Sequence, residues 1–554
     1  MKALFVVFLA ITLSTFVVVQ SQTRYSKSEL IEDTRQYVQL LETVHPDPYI
    51  NGGGKIAFHR RFHQLISSIP EAGMDLLDYG WKLQEFTGTM LDSHTTVFVP
   101  VNYNNKTPGG IPIYFNSIED KLYVYGVADS AHLPLTGSVL LSIEGIPVER
   151  IYRDYGALTG KENNRYNVLA GIPGHLWHKS WIEYLIPEWE DDGSILIELL
   201  KSDGRIEELD LPIPKEISYP LYSTQTSVPM PSTEQCDFTY TFTEEDKQTA
   251  LLVINSMVGY REAFEIWRTS GRTQLIKNNS QAFTRATGEP VPDEIDQIIQ
   301  GIPAATEVFI SMLQEMKSAG TKNLIIDLRR NSGGASTMAD ILTYLIYGNE
   351  AVITAKSGIP NEVKKLSDYY FELHSKESIE NFNESRVFPL QDEDYVFTED
   401  RYGWNTDLEP LFDEIARNSW NSRIEQMPTF QNVYESGKYD GFYCPEHVAV
   451  VSSNKTFSSG FTLMQRIKQC GGLIIGRPSG QEQAAFGSIQ EYTLKNSGIK
   501  GYISHKRFGM YPHEVPDFSY FVQPDYEMTY ERFKQYGFDK NADILYAIDV
   551  LECF

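Results

Sequence analysis

Three short stretches of this 554-residue chain hold residue types able to do covalent chemistry. The first is Ser452-Ser453-Asn454-Lys455-Thr456-Phe457-Ser458-Ser459-Gly460-Phe461, between an apolar strand-like run (447–451) and a helical run (461–470). A serine on a strand-to-helix turn can hold its hydroxyl exposed, and the N–H groups behind it favour negative charge. Taken alone, Ser458 or Ser459 reads better as a helix cap. The second stretch is Leu324-Ile325-Ile326-Asp327-Leu328-Arg329-Arg330-Asn331-Ser332-Gly333-Gly334, a buried strand entering a Gly-Gly turn. Two glycines let the backbone turn sharply with N–H groups facing a ligand, which suits an oxyanion. No Gly-Lys-Ser/Thr follows, so a P-loop is excluded. The third is Leu91-Asp92-Ser93-His94-Thr95-Thr96. A histidine in a polar turn is usually a surface residue, but a serine nucleophile needs a base of suitable pKa, and histidine is the usual one. The eleven histidines form no His-Glu-x-x-His cluster, and Cys236, Cys444, Cys470 and Cys553 lack zinc-ligand spacing. Neither a metal nor another cofactor is expected.

Together and in order, these stretches resemble the C-terminal processing, or tail-specific, serine peptidases, in particular the branch that includes the tricorn core. The matching residues are Asp327-Leu328-Arg329, Asn331 and Gly333-Gly334, then Thr456-Phe457-Ser458, Gly476-Arg477-Pro478 and Gln523-Pro524-Asp525. The resemblance covers roughly the C-terminal half and the Asp92–Thr95 turn. It implies a crotonase-like α/β catalytic core and a serine peptidase with Ser458 as nucleophile. One branch of the family places a lysine base soon after the Gly-x-Pro turn, and residues 476–487 contain no lysine. The other uses an upstream Ser-His pair, which Ser93-His94 supplies. The implied base is therefore His94, supported by Ser93 and by a downstream glutamate, Glu514. The implied oxyanion donors are the N–H groups of Ser459 and of the Gly333-Gly334 turn. Two departures stand out: Phe461 where the family often has Glu, and Ser332 where Pro is common. Ser459 leaves the register open by one residue; Thr-Phe ahead of Ser458 selects Ser458. The alternative readings are a non-catalytic peptide- or ligand-binding module, motivated by Phe461, and an esterase using the same serine and histidine.

These turns must be positioned by the rest of the chain. Met1-Lys2, an apolar run over 3–19 and Gln20-Ser21-Gln22 read as a signal peptide over residues 1–21. A secreted or periplasmic protein follows, in which disulfides are permitted. No later stretch is apolar for long enough to insert stably in a membrane. Asn-x-Ser/Thr sites occur at Asn105, Asn278, Asn383 and Asn454. Residues 22–94 read as an N-terminal helical unit, with Ile31, Tyr37, Leu40, Leu41 and Val44 at helical spacing. Residues 95–220 read as a β-rich domain with short runs at 96–99, 111–114, 122–127, 138–143 and 194–200. Within it, 135–148 resembles a PDZ-like hairpin, a fold that takes peptides by strand addition. Residues 221–554 alternate strand and helix, with helices at 298–319, 338–347 and 461–470, which predicts a mainly parallel α/β peptidase core. A polar insertion at about 356–443 reads as a helical excursion or lid. Forty-eight Lys and Arg against 74 Asp and Glu give a net charge of -26. That balance opposes nucleic acid or anionic lipid as partners; protein or peptide substrates are what the peptidase resemblance implies. Oligomeric state is left open.

Overall fold

The core strands are apolar at almost every position, and such a strand must be covered on both faces. In the computed structural model they are. It describes residues 24–100, 109–159, 164–215, 221–357, 361–373, 377–384, 386–396, 408–482, 484–509 and 522–554. The signal-peptide expectation over 1–21, Asn105 and Glu514 lie outside the described residues. The central sheet runs in the order Phe238–Phe242, Thr249–Ile254, Asn323–Asp327, His447–Ser452, Leu473–Gly476, Tyr526–Glu527. The first pair is antiparallel and the rest are parallel. Leu252, Leu324, Ile326, Val448 and Val450 face one way, into a core shared with Phe264, Phe309, Met312, Leu342 and Leu463. Leu251, Val253, Ile325, Ala449 and Val451 face the other, onto the C-terminal helix Ala542–Glu552 and onto Ile118 and Tyr123 of the β-rich region. Asp327 pairs beside Val451 in parallel register. The two strands therefore end together, and the turns leaving them meet at the carboxyl edge of the sheet.

The helix expected over 298–319 is two helices, Ile295–Gly301 and Ala305–Ala319. Pro303 between them has no N–H to continue the ladder. The β-rich region holds a sheet in the order Ile113–Ile118, Lys121–Val127, Val139–Ile143, Ser194–Leu200, Ile206–Pro212. It also holds three helices that its strand-like runs did not predict: Val148–Leu158, Arg165–His175 and Lys179–Leu185. Strand addition was expected here. At the start of the outer strand Ile113–Ile118, however, the Trp177 Nε1–H donates to the Ile113 carbonyl at 3.1 Å. Just upstream, the N–H groups of Gly110 and Ile111 donate to Trp177 and Leu176 carbonyls at 2.7 and 2.9 Å. The domain's own loop occupies that end of the edge.

Thr96–Val97, expected among the strands of the β-rich region, pairs instead with Lys500–Gly509. That strand forms a long hairpin with Ala484–Thr493. The insertion, expected to be helical, adds two strands to the same sheet, Asn361–Lys365 and Tyr395–Val396. Its helices Leu408–Glu425 and Pro428–Glu435 bury Trp420 and Phe430 in the main core. The N-terminal helices Lys27–Val44, Gly54–Ser68 and Leu76–Gly88 dock on the hairpin through Tyr37, Leu41, Phe58 and Phe86 against Tyr492, Leu494, Ile499 and Ile503. Fully buried Asp33 accepts the N–H groups of Asn496 (2.9 Å) and Ser497 (2.7 Å) in the hairpin turn.

The four cysteines are free thiols. Asn454 is 3% exposed and its Nδ2 donates to Ser117 Oγ at 2.9 Å, so this glycosylation motif is closed in the folded chain. Among the described residues no helix is long and apolar enough to cross a membrane.

Candidate active site

The two turns at the carboxyl edge are stitched to one another. The Thr456 hydroxyl donates to the Leu328 carbonyl at 2.9 Å and accepts the Ser453 N–H at 3.0 Å. The Ser453 hydroxyl donates to the Arg329 carbonyl at 2.6 Å, and the Phe457 N–H to the Asn331 carbonyl at 2.9 Å. Thr456 is thus the clamp that fixes the serine turn to the Gly-Gly turn. Ser458 follows with φ 52° and ψ -122°, at the head of the helix Ser459–Gln469. That backbone conformation is rare for a residue with a side chain and typical of strained functional turns. Ser458 stands at the N-cap position, yet its side chain makes no capping bond, which removes the cap reading. The Ser459 hydroxyl is engaged elsewhere: it donates to the Gly334 carbonyl at 2.7 Å and lies 2.8 Å from Ser336 Oγ. The Ser459 hydroxyl is thus held inside the turn.

Gly333 lies against Ser458. A Cβ there would sit 2.5 Å from Ser458 Cβ and 3.0 Å from Oγ, at φ +111°. Its N–H donates to Asn331 Oδ1 at 2.9 Å and its carbonyl accepts the Met257 N–H at 3.0 Å. Gly333, expected as an oxyanion donor, therefore brings space rather than a donor. Gly334 is bridged to Met257 through its neighbours, the Ala335 N–H donating to the Met257 carbonyl at 2.7 Å. In such a pairing the Gly334 peptide groups point away from Met257, and its carbonyl meets Ser459. The Ser458 N–H donates to the buried Gln481 Oε1. The Ser459 N lies close by, 3.0 Å from where a Gly333 Cβ would stand.

His94 arrives from the N-terminal unit. Its ring lies on Phe457, the residue before Ser458, with centroids 4.7 Å apart. Gly487 of the hairpin also comes close to the ring: a Cβ there would be 3.9 Å from His94 Cε1. Ser93 and His94 are both half-buried. The turn carrying them is built on Asp92, whose Oδ1 accepts the His94 N–H at 2.9 Å. Its Oδ2 accepts the Thr95 hydroxyl at 2.5 Å and faces His45 Nε2 at 3.1 Å. Thr95 in turn accepts the Ser504 N–H at 3.0 Å, tying the turn to the hairpin. Burial pushes the Asp92 carboxyl up, but the hydrogen bond from His45, with further contributions from His94 and Thr95, outweighs it and holds it below the usual carboxylate range.

Below the site, Asp327 accepts the Arg329 backbone N–H (3.0 Å), Nε (2.9 Å) and Nη2 (2.8 Å). Burial would raise its carboxyl; the Arg329 charge lowers it. The Asp-Leu-Arg motif is thus a structural clasp beneath the turns. Sequence reasoning placed Ser458, His94 and the Gly-Gly turn together. It missed Gln481, which registered only as a place without lysine, and the His45–Asp92 contact, since nothing local links residues 47 apart.

Residues 294–527 match the sequence model of Peptidase family S41. No curated protein sequence matches the chain. Among solved structures, mature CPAF complexed with lactacystin has a TM-score of 0.53 at 14% identity, over 94% of this chain and 97% of that one. Mature CPAF alone has a TM-score of 0.51 at 13% identity, over 93% and 96%. The photosystem II D1 C-terminal processing protease has a TM-score of 0.38 at 12% identity, over 92% and 94%. At these identities the likeness to CPAF establishes the fold alone.

Proposed function

We infer, from a chain whose residues 294–527 are a serine-type peptidase domain of family S41, that Ser458 is the nucleophile and His94 its general base. The observation that carries this is the strained Ser458 backbone packed on Gly333, with the His94 ring in tilted contact with the adjacent Phe457. Ser458 Oγ attacks a peptide carbonyl while His94 takes its proton, then returns it to the leaving amine. Charge on the carbonyl oxygen is met by the N–H groups of Ser459 and Gly334 at a helix N-terminus and an open glycine turn. Ser93 and Glu514 orient the imidazole in this reading. The substrates are exported proteins or peptides, because residues 1–21 have the make-up of a signal peptide and the mature chain acts outside the cytoplasm.

The test is turnover of casein and of tagged peptides by the purified chain, beside labelling of Ser458 by a fluorophosphonate. Ser458→Ala abolishes both. His94→Ala lowers turnover by about 10²–10⁴. Wild-type turnover in both variants would reject the mechanism. An ester substrate panel separates a peptidase from an esterase. Sequencing the N-terminus of protein recovered from the medium or periplasm tests export.

A further inference from the structure

We propose that Asp92 and His45 are a buried positioning pair for His94, holding the imidazole towards Ser458 from behind. The proposal rests on the reading of His94 as the base.

A turn of the Asp-x-His kind needs only one carboxylate oxygen, and Oδ1 supplies it by accepting the His94 N–H. The second oxygen is also spent, on His45 and Thr95. Asp92 has no exposed surface and His45 is 1% exposed. Burying a carboxylate this deeply costs several kcal/mol unless partners recover it. The tautomer of His45 follows from its contacts. The Asp47 N–H donates to His45 Nδ1 at 3.1 Å, so the ring proton lies on Nε2 and points at Asp92. The His45 ring packs on Phe486 with centroids 4.4 Å apart. The next residue, Gly487, closes on the His94 ring. His45, Asp92, His94 and the Phe486-Gly487 strand segment therefore make a closed circuit around the base. Three pieces of chain far apart in sequence set the imidazole's position. The Asp92 carboxylate, two residues away in the same turn, also favours the positive charge that His94 acquires as Ser458 attacks.

The experiment measures the second-order rate of fluorophosphonate labelling at Ser458 in the full chain, with thermal melts as the folding control. Asp92→Asn is expected to slow labelling by about 10–100-fold. In the His94→Ala background the same change should cost no more than about twofold, since a residue acting through His94 has nothing left to act on. Labelling by Asp92→Asn within about twofold of wild type overturns the proposal, and so does a loss that multiplies with that of His94→Ala. Should Asp92→Asn not melt cooperatively, His45 carries the test. His45→Leu should slow labelling by about tenfold, and His45→Gln, which keeps a donor, should recover most of it. Equal rates in the two His45 variants overturn the proposal. If His94→Ala itself labels at the wild-type rate, the base reading fails and takes this pair with it. If only the Asp92 and His45 variants are unaffected, the base reading stands alone.

Discussion

Gly333 and Ser458 define the site at the level of single residues, and their relation is steric. The Ser458 conformation leaves no room for a side chain at Gly333, and the local φ is one that only glycine adopts freely. Gly333→Ala should push Ser458 off its line of attack. A displacement near 1 Å is enough to cost about 10²-fold in kcat. The neighbouring Gly334→Ala differs: its Cβ would meet the Met257 backbone at 2.3 Å, so the lesion falls on the Met257 segment as well. Steady-state kinetics beside thermal melts distinguish the two. Gly333→Ala should lose turnover with a modest fall in Tm, and Gly334→Ala should lose both. A Gly333→Ala enzyme with wild-type kcat would show that the contact is slack. A second residue-scale effect is electrostatic and distant from the nucleophile. Burial pushes the Glu265 carboxyl up to about 7, despite its bonds from the Thr429 hydroxyl (2.5 Å) and N–H (3.2 Å). A raised carboxyl means that the folded chain holds a proton which the unfolded chain releases near its ordinary value of 4.5. Its contribution is therefore favourable on the acid side and lost as pH rises through 7. The urea midpoint should fall between about pH 4.5 and about pH 7, and Glu265→Gln should flatten that fall. An unchanged slope in the variant would assign the pH dependence to other groups.

At the scale of elements, the site depends on a long-range docking. His94 belongs to a segment following the N-terminal helices, while Ser458 lies on the turn after a strand of the central sheet; Thr96–Val97, just beyond His94, pairs with the hairpin Ala484–Thr493 and Lys500–Gly509, on which the N-terminal helices dock. Asp33 is the polar pin of that docking, with both oxygens used on the hairpin turn. Asp33→Asn sets an NH₂ group against a buried N–H and should cost about 2 kcal/mol. Because the displaced unit carries His94, turnover should fall more steeply than Tm alone explains. Kinetics at a temperature well below the melt check this; full activity there would mean that the hairpin holds His94 without the pin. The same dependence explains what the sequence made legible. The central strands were readable because burial on both faces writes an unbroken apolar run, as in Leu324-Ile325-Ile326. The two turns were readable because glycine and a Thr-x-Ser pattern are local. The hairpin was not, since its strands mix exposed Ile489 with Gly487 and Gly501 and bend at Ser488 (φ 54°). The helix Val148–Leu158 was readable in principle, from Val148, Ile151, Tyr155 and Leu158, but short strand-like runs around it masked the period. The assignment of Thr96–Val97 failed for a physical reason: a two-residue strand carries no information about which sheet completes it.

Across the whole molecule, one buried charge cluster joins parts that share no local sequence. Asp543 on the C-terminal helix pairs with Arg477 at 3.1 Å and with Arg329 at 3.4 Å. Arg477 extends through Nη1 to the Ser117 carbonyl of the β-rich region at 2.7 Å, and Arg329 through Nη2 to Asn541 at 2.9 Å and back to Asp327. The strand before the Gly-Gly turn, the turn after Gly476, the β-rich region and the chain terminus therefore meet at one carboxylate. A buried pair of this kind adds little net stability over an apolar filling, but removing one partner strands the others without compensation. Asp543→Ala would leave two guanidinium groups with one carboxylate, Asp327, between them, at a cost of about 3–5 kcal/mol. The lesion should be global: a lower Tm, a lower urea midpoint and loss of activity only in proportion to unfolded protein. Asp543→Asn, which keeps an acceptor for Arg477, should lose less. If Asp543→Ala instead melted as wild type yet lost turnover, the cluster would be tuning the serine turn directly, and Asp543 would belong to the site rather than to the scaffold beneath it.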